Sequence, residues 1–272
     1  MTQKPLILAV ETSSRTGSVA VARGKELLAE TTFSGPMKHS AEIFPAMGEL
    51  MRRFDLTPGK IEHVYIAIGP GSFTGLRIAT TLAKSMHLAN GARIVAVDTL
   101  DAIAANLIDY TRPPDLSAIC HSGPSGHDVN RHAESVKRIA AILDAKRNQF
   151  FIAAYERAGR ASGTADEGTK RTATSDGVWV KVAQDCLMTA AQFVARFSES
   201  GRPIWLLGDG LLYHRDKFQA QGMYLLDERY WSPRASKVHL LGWRKAVAGQ
   251  FADPVTLQPT YLRKPNVTVK KA

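Results

Sequence analysis

Cysteine is nearly absent from this sequence: 272 residues hold two, Cys120 and Cys186. Neither sits in a C-x-x-C pair, which excludes a disulfide framework and suits a reducing compartment. Long apolar runs are missing as well. The chain never strings together the roughly 18 apolar residues of a membrane-spanning helix. The short run Leu6 to Val10 lacks the length and cleavage site of a secretory signal, so a cytoplasmic protein is expected. No repeat of solenoid type is visible. Acidic residues are the minority, 25 against 35 Lys+Arg, for a formal net charge of +10. Apolar material is plentiful: 44% of residues are hydrophobic and 22% charged. That excludes a disordered chain and is enough for one large domain or two lobes.

The charge is unevenly spread. From Arg229 to Ala272 the basic residues are Arg229, Arg234, Lys237, Arg244, Lys245, Arg263, Lys264, Lys270 and Lys271, against the single acid Asp253. Eight of the ten net charges therefore lie there, and the first 228 residues carry only +2. Such a region fits RNA or an acidic partner; a solubilising tail is the alternative.

Leu6 to Val10, Ser18 to Ala22 and Glu26 to Phe33 are short runs separated by turn residues and predict an antiparallel meander. Ile43, Phe44, Met47, Leu50, Met51 and Phe54 recur at steps of three and four, the apolar face of a helix. His63 to Ile68 predicts a buried strand running into a glycine-rich turn. A second helix follows, with Leu76, Ala79, Leu82, Ala83 and Met86 on one side, then a strand at Ile94 to Val97 and a helix at Leu100 to Leu107. The order βββαβαβα over the first 110 residues implies a mixed sheet covered by helices. Residues 111–135 turn to Pro, Ser, Gly, His and Asp without periodicity. They read as a loop or insertion between a first lobe, 1–110, and a second, 136–272. In the second lobe, Ile139 to Leu143 and Phe150 to Tyr155 predict strands around an Asn148-centred turn. Thr189 to Phe197 predicts a helix and Pro203 to Leu207 a strand. A last helix, about 236–249, is expected to pack back on the first lobe.

Several stretches carry candidate chemistry. In Gly69, Pro70, Gly71, Ser72, Phe73, Thr74 and Gly75, followed by Arg77, the glycines permit a tight strand-to-helix turn whose N–H groups can hold an anion. The same glycines equally serve a strand packed closely on its helix. The motif is neither a Walker loop nor G-x-G-x-x-G. Glu11, Thr12 and Ser13, and likewise Gly208, Asp209 and Gly210, form turns in which backbone N–H groups can reach an anion. Cys120, His121, His127, Asp128 and His132 can be drawn as a zinc cluster, though their spacing matches no finger pattern and a solvated loop is the default. Asp144, Lys146 and Arg147 form a charged turn that either faces a cleft or makes surface salt bridges.

The stretch Gly69 to Ala83 closely resembles the signature of the TsaB (YeaZ) family, partner subunits in bacterial threonylcarbamoyladenosine synthesis on tRNA. Leu8-Ala-Val-Glu-Thr-Ser-Ser14 with Ser18-Val-Ala20 is similar to that family's opening strand pair, and Lys38-His-Ser40 with Pro45 to its first-helix motif. Val97-Asp-Thr-Leu-Asp-Ala102 resembles the strand–helix step after the signature. Leu143-Asp-Ala-Lys-Arg147 with Tyr155 resembles the start of the second lobe, and Pro259-Thr-Tyr-Leu-Arg263 the C-terminal end. The blocks are collinear over nearly the whole chain; 111–135 departs from the pattern.

The resemblance implies an α/β, actin/Hsp70-like (ASKHA) fold with two lobes around a cleft. Glu11, Thr12 and Ser13 would approach phosphates and Gly208, Asp209 and Gly210 an adenosine, unless both turns are inherited scaffold. It implies no catalytic residue. The catalytic paralogue, TsaD, carries two metal-binding histidines four apart on a helix, and the matching positions here are Thr99 and Ile103. The subunit would need no cofactor of its own, with ATP or ADP at the complex interface the nucleotide to look for. The implied partners are a TsaD-like transferase, a TsaE-like ATPase and tRNA through the complex, or a second copy of the chain when the transferase is absent. Ile43, Met47, Leu50, Met51, Leu76, Ala79, Leu82, Ala83 and Met86 are then candidates for an intersubunit helical bundle, with the chain's own core as the default. Methionine suits adaptable contacts, and Met37 lies near the same elements. The rival reading is an enzyme in its own right, an ATP-dependent kinase or a metallopeptidase of the same fold.

Overall fold

The computed structural model describes residues 4–35, 38–108, 136–158, 172–173, 179–198 and 201–263. The 111–135 segment with its Cys120, His121, His127, Asp128 and His132 cluster lies outside these residues, as do Met37, Lys264, Lys270 and Lys271. The first sheet holds β1 (Leu6–Glu11), β2 (Ser18–Arg23), β3 (Glu26–Thr32), β4 (His63–Ala67) and β5 (Arg93–Val97), in the order β3-β2-β1-β4-β5. Short turns join β1, β2 and β3 into an antiparallel meander. The helices α1 (His39–Arg53) and α2 (Phe73–Asn90) are the crossovers that return β4 and β5 parallel to β1. Further along lie α3 (Thr99–Ala104), α4 (Ala190–Ser198) and α5 (Ala235–Val247).

Both faces of the first sheet are covered. Leu6, Leu8 and Val10 of β1 pack with α1 and α2, while Ile7 and Ala9 pack with α5. A strand buried on both sides needs an unbroken apolar run, which is what β1 has. The side facing α5 includes the small residues Ala9, Ala20, Ala22 and Ala67, and the helix meets the buried Tyr65 ring at Gly242.

The second sheet holds β6 (Arg138–Asp144), β7 (Phe150–Arg157), β8 (Thr172–Ala173), β9 (Trp179–Met188), β10 (Ile204–Leu207) and β11 (Met223–Leu225), in the order β11-β10-β6-β7-β9-β8. Set β8 aside and the pairings duplicate the first sheet. β6, β7 and β9 form an antiparallel meander, and β10 and β11 run parallel to β6. This duplication of topology leaves no repeat in the sequence, since both halves share only the need to bury alternating or continuous apolar positions. Two mixed sheets flanked by helices make the actin/Hsp70-like α/β fold. The strand β9 escapes a sequence reading because Lys181, Gln184 and Asp185 interrupt it, yet Trp179, Lys181 and Ala183 are buried at alternate positions.

Helix α3 sits between the two sheets. Ala102 packs on the first, while Leu100, Ile103 and Ala104 belong to the core of the second. Of the nine positions considered for an intersubunit bundle, Ile43, Met47, Leu50, Met51, Ala79, Leu82, Ala83 and Met86 are buried between α1, α2 and the first sheet, and Leu76 is buried beside Gly69. The chain itself covers them. Among the residues that α1 and α2 turn to solvent are Ala41, Phe44, Gly48, Thr81, Ser85 and Leu88, with the charged Glu49, Arg52, Arg53 and Arg77 exposed on the same helices. Phe44, which the helical period placed on the apolar face, is 61% exposed.

Candidate functional site

Three turns and a C-terminal segment meet between the lobes. After β1 the chain folds tightly on its own carboxylate: Ser13 N and Oγ donate to Glu11 Oε1 at 2.5 and 2.6 Å. This turn is stitched to the signature loop. Thr12 Oγ1 donates to Gly75 O at 2.7 Å, and Ser72 N donates to Ser13 O at 2.7 Å. A methyl group on Gly75 would run into the Thr12 carbonyl, and one on Gly71 into the Ser13 carbonyl. The glycines thus serve close packing of backbone on backbone. Ser72 also caps α2, its Oγ accepting from Gly75 N at 3.3 Å.

The second turn follows β10. Gly208, at φ +126°, lies against the Ile142 carbonyl, and Asp209 Oδ2 accepts from Arg15 N of the other lobe at 3.3 Å. The third turn joins β6 to β7. Lys146, Arg147 and Asn148 all have positive φ, at 63°, 55° and 58°. Asp144 holds Lys146 by its backbone N–H and its ammonium, each at 2.7 Å.

The C-terminal segment crosses from lobe to lobe. Thr260 N donates to Ile68 O at 2.7 Å, and the Tyr261 ring lies 5.2 Å from that of Phe73. Leu262 packs against the second core. Arg263 then donates to Ala145 O at 2.6 Å, to Lys146 O at 3.3 Å and to Gln149 Oε1, gripping the third turn. Much of the C-terminal positive charge is similarly engaged within the fold: Arg234 pairs with Glu30 at 2.7 Å and Lys245 donates to Ala96 O at 2.8 Å.

Together these elements bound a cleft of about 510 Å³. Ser13, Gly71, Ser72 and Phe73 line it on one side, with Asp209, Gly210, Asp144, Lys146 and Arg147 across from them. Glu11, Thr12, Gly69, Pro70, Thr74, Gly75, Arg77 and Gly208 support it without lining it. Glu11 is fully buried, and its Oε2 has no hydrogen-bond partner. Burial, aided by the nearby Asp209, pushes its carboxyl up to about 7 in spite of the Ser13 hydrogen bonds. Burial likewise raises Asp209 to about 6, against the pull of the Arg15 amide. Two carboxyls thus sit at or behind the cleft wall, both held above the ordinary carboxylate range by burial.

A second polar cluster, invisible in the sequence, lies at the start of α3. Asp98 caps that helix, its Oδ1 accepting from Leu100 N and Asp101 N at 2.8 and 3.1 Å. Lys181, 6% exposed, reaches in from β9 to Asp185 at 2.6 Å, Asp101 at 2.8 Å and Asp98 at 3.5 Å. Tyr155 donates to Asp101 at 2.9 Å. Burial drives Asp98 and Asp101 upward; for Lys181 the three carboxylates outweigh burial and drive it upward too.

The family model described as "TsaD: tRNA N6-adenosine threonylcarbamoyltransferase" matches residues 26–201. The tRNA threonylcarbamoyladenosine biosynthesis protein TsaB of Bacillus subtilis is 27% identical over 94% of this chain and 93% of its own length. The chain belongs to the TsaB (YeaZ) family. It is thus a member of a family of tRNA threonylcarbamoyladenosine biosynthesis. The TsaB protein of Escherichia coli K12 is 22% identical over 97% of each chain. The solved structure titled "YeaZ from Pseudomonas aeruginosa" shares the fold, with a TM-score of 0.68 at 18% identity over 95% of this chain and all of that one. Among the described residues no helix is long and apolar enough to cross a membrane.

Proposed function

We propose that the chain is the non-catalytic partner subunit of the complex that transfers a threonylcarbamoyl group to the adenosine beside the anticodon in tRNAs reading codons that begin with A. It binds and supports a TsaD-like transferase and helps recruit a TsaE-like ATPase. One observation carries the reading: Thr99 and Ile103, the positions matched to the paralogue's histidine pair, are both fully buried in α3. A hydroxyl and a hydrocarbon branch offer no pair of imidazole nitrogens to a metal. In place of an open site, the start of α3 is locked by the Lys181 cluster.

The partner surface of this reading is the outer side of α1 and α2. There the small residues Ala41, Gly48, Thr81 and Ser85 allow close helix approach around Phe44 and Leu88. A second copy of the chain takes the same place when the transferase is absent, and ATP or ADP, if present, belongs to the assembled complex. The test is co-expression with a TsaD-like subunit followed by size exclusion. A stable complex that Phe44→Glu or Leu88→Glu dissolves without lowering the melting temperature is expected. No association at micromolar concentration would sink the proposal, and threonylcarbamoyl transfer by this chain alone would refute its non-catalytic part.

A further inference from the structure

Four aromatic residues are well exposed among the described residues: Phe44, Phe73, Tyr213 and Tyr261. Three of them, Phe73, Tyr213 and Tyr261, line the same cleft. Tyr213, 67% exposed, stands on the second lobe, and the Phe73–Tyr261 pair stands on the signature-loop side. Each platform already carries an arginine. The Arg15 guanidinium lies 5.0 Å from the Tyr213 ring centre, and that of Arg77 lies 3.9 Å from the Phe73 ring centre. Arg147 adds a third cation from a turn held at positive φ.

We propose that the mouth of this cleft grips single-stranded RNA, stacking bases on Tyr213 and on the Phe73–Tyr261 pair and meeting phosphates with Arg15 and Arg147. The inference rests on the reading of this chain as a subunit acting on tRNA, and it assigns the contact to the cleft mouth instead of the basic tail. Stacking platforms alternating with cations are what a strand of nucleotides uses, because every base has a π-face and every linkage a charge. Platforms on both lips suit a strand better than a mononucleotide, which has one base to stack. Both carboxylates that line the cleft are already engaged, Asp209 by the Arg15 amide and Asp144 by Lys146, while Glu11 is buried behind Ser13.

The test is fluorescence anisotropy of a short unstructured RNA, labelled at one end, titrated with the full chain at several salt concentrations. Tyr213→Ala should weaken binding by about tenfold, with Tyr213→Phe retaining it and the melting temperature of both unchanged. Arg147→Ala should reduce the slope of log affinity against log salt by about 0.7, the value for one phosphate on a single strand. A chain ending at Arg263 should keep both effects. No binding by the full chain, a Tyr213→Ala affinity equal to the original, or loss of all binding on removal of 264–272 would each overturn the proposal. So would displacement of the RNA by equimolar ATP, which would make the cleft a mononucleotide site, or by an equimolar acidic peptide, which would make stacking irrelevant. None of these results bears on association with the transferase, which is measured separately.

Discussion

Replacing Lys181 with methionine keeps the length of the side chain and removes its charge. Its side chain is 7% exposed and lies within 3.5 Å of Asp98, Asp101 and Asp185. Deleting one partner of a buried ion pair costs about 3–5 kcal/mol, since the remaining charge is left without compensation. For a chain of this size that is a fall of about 10 °C in melting temperature. The pH dependence is the sharper signature. Asp98 and Asp101 already bind their protons more tightly in the folded state than when unfolded, because they are buried. Their contribution to stability is complete at low pH and is lost as pH rises through the raised folded values. Without Lys181 they rise further, so the deficit of the variant should be largest above neutral pH and shrink as the pH falls toward 5. Urea unfolding of both proteins at about pH 8 and about pH 5.5 measures it, and adding Asp185→Asn to the variant should recover part of the loss. Equal deficits at the two pH values, or a loss below about 1 kcal/mol, would show that the carboxylates do not depend on Lys181.

Other outcomes follow from the same reasoning. Glu11→Gln removes a fully buried carboxyl raised to about 7 from an ordinary 4.5. Its charging costs stability as pH rises through 7, so the variant should be more stable than the original at pH 8, by about 1–3 kcal/mol, with the gap closing by pH 5 in thermal melts. Gly242→Ala places a methyl 2.5 Å from Cδ2 of the buried Tyr65, and urea unfolding should register a loss of about 1–3 kcal/mol from overpacking. Arg263→Ala releases two carbonyls and an amide of the β6–β7 turn. Amide hydrogen exchange at residues 145–149 should speed up by about tenfold while the first sheet stays unchanged.

The first sheet is legible in the sequence because its physics is local. Leu6 to Val10 and His63 to Ile68 are continuous apolar runs, and the three- and four-residue steps from Ile43 to Met51 announce a helix. The facing of that helix is less legible: Phe44 belongs to the period but points to water, since α2 and the sheet offer it no place. β9 is hidden because its most informative inward residue is a lysine. A lysine reads as surface until Asp98, Asp101 and Asp185 are seen beside it, and two of these lie about eighty positions away. The glycines of the signature loop are visible as a turn, but their use depends on the Thr12 and Ser13 carbonyls, which only the folded chain brings up against them. Arg263 stands out in the sequence as part of a basic C-terminus, yet its acceptors are two carbonyls and the Gln149 side chain of a distant turn.

The position of α3 has a mechanical consequence. Four of its six residues are shared between two cores, with Ala102 toward one sheet and Leu100, Ile103 and Ala104 toward the other, and the Lys181 cluster fixes its first turn. A rocking motion of one lobe over the other would have to pull this helix out of one of its two sockets. A displacement of the first sheet therefore has a direct route to the second core through α3. A fragment ending before β6 would leave Leu100, Ile103, Ala104 and Leu107 facing water. Each half thus lends the other part of its core.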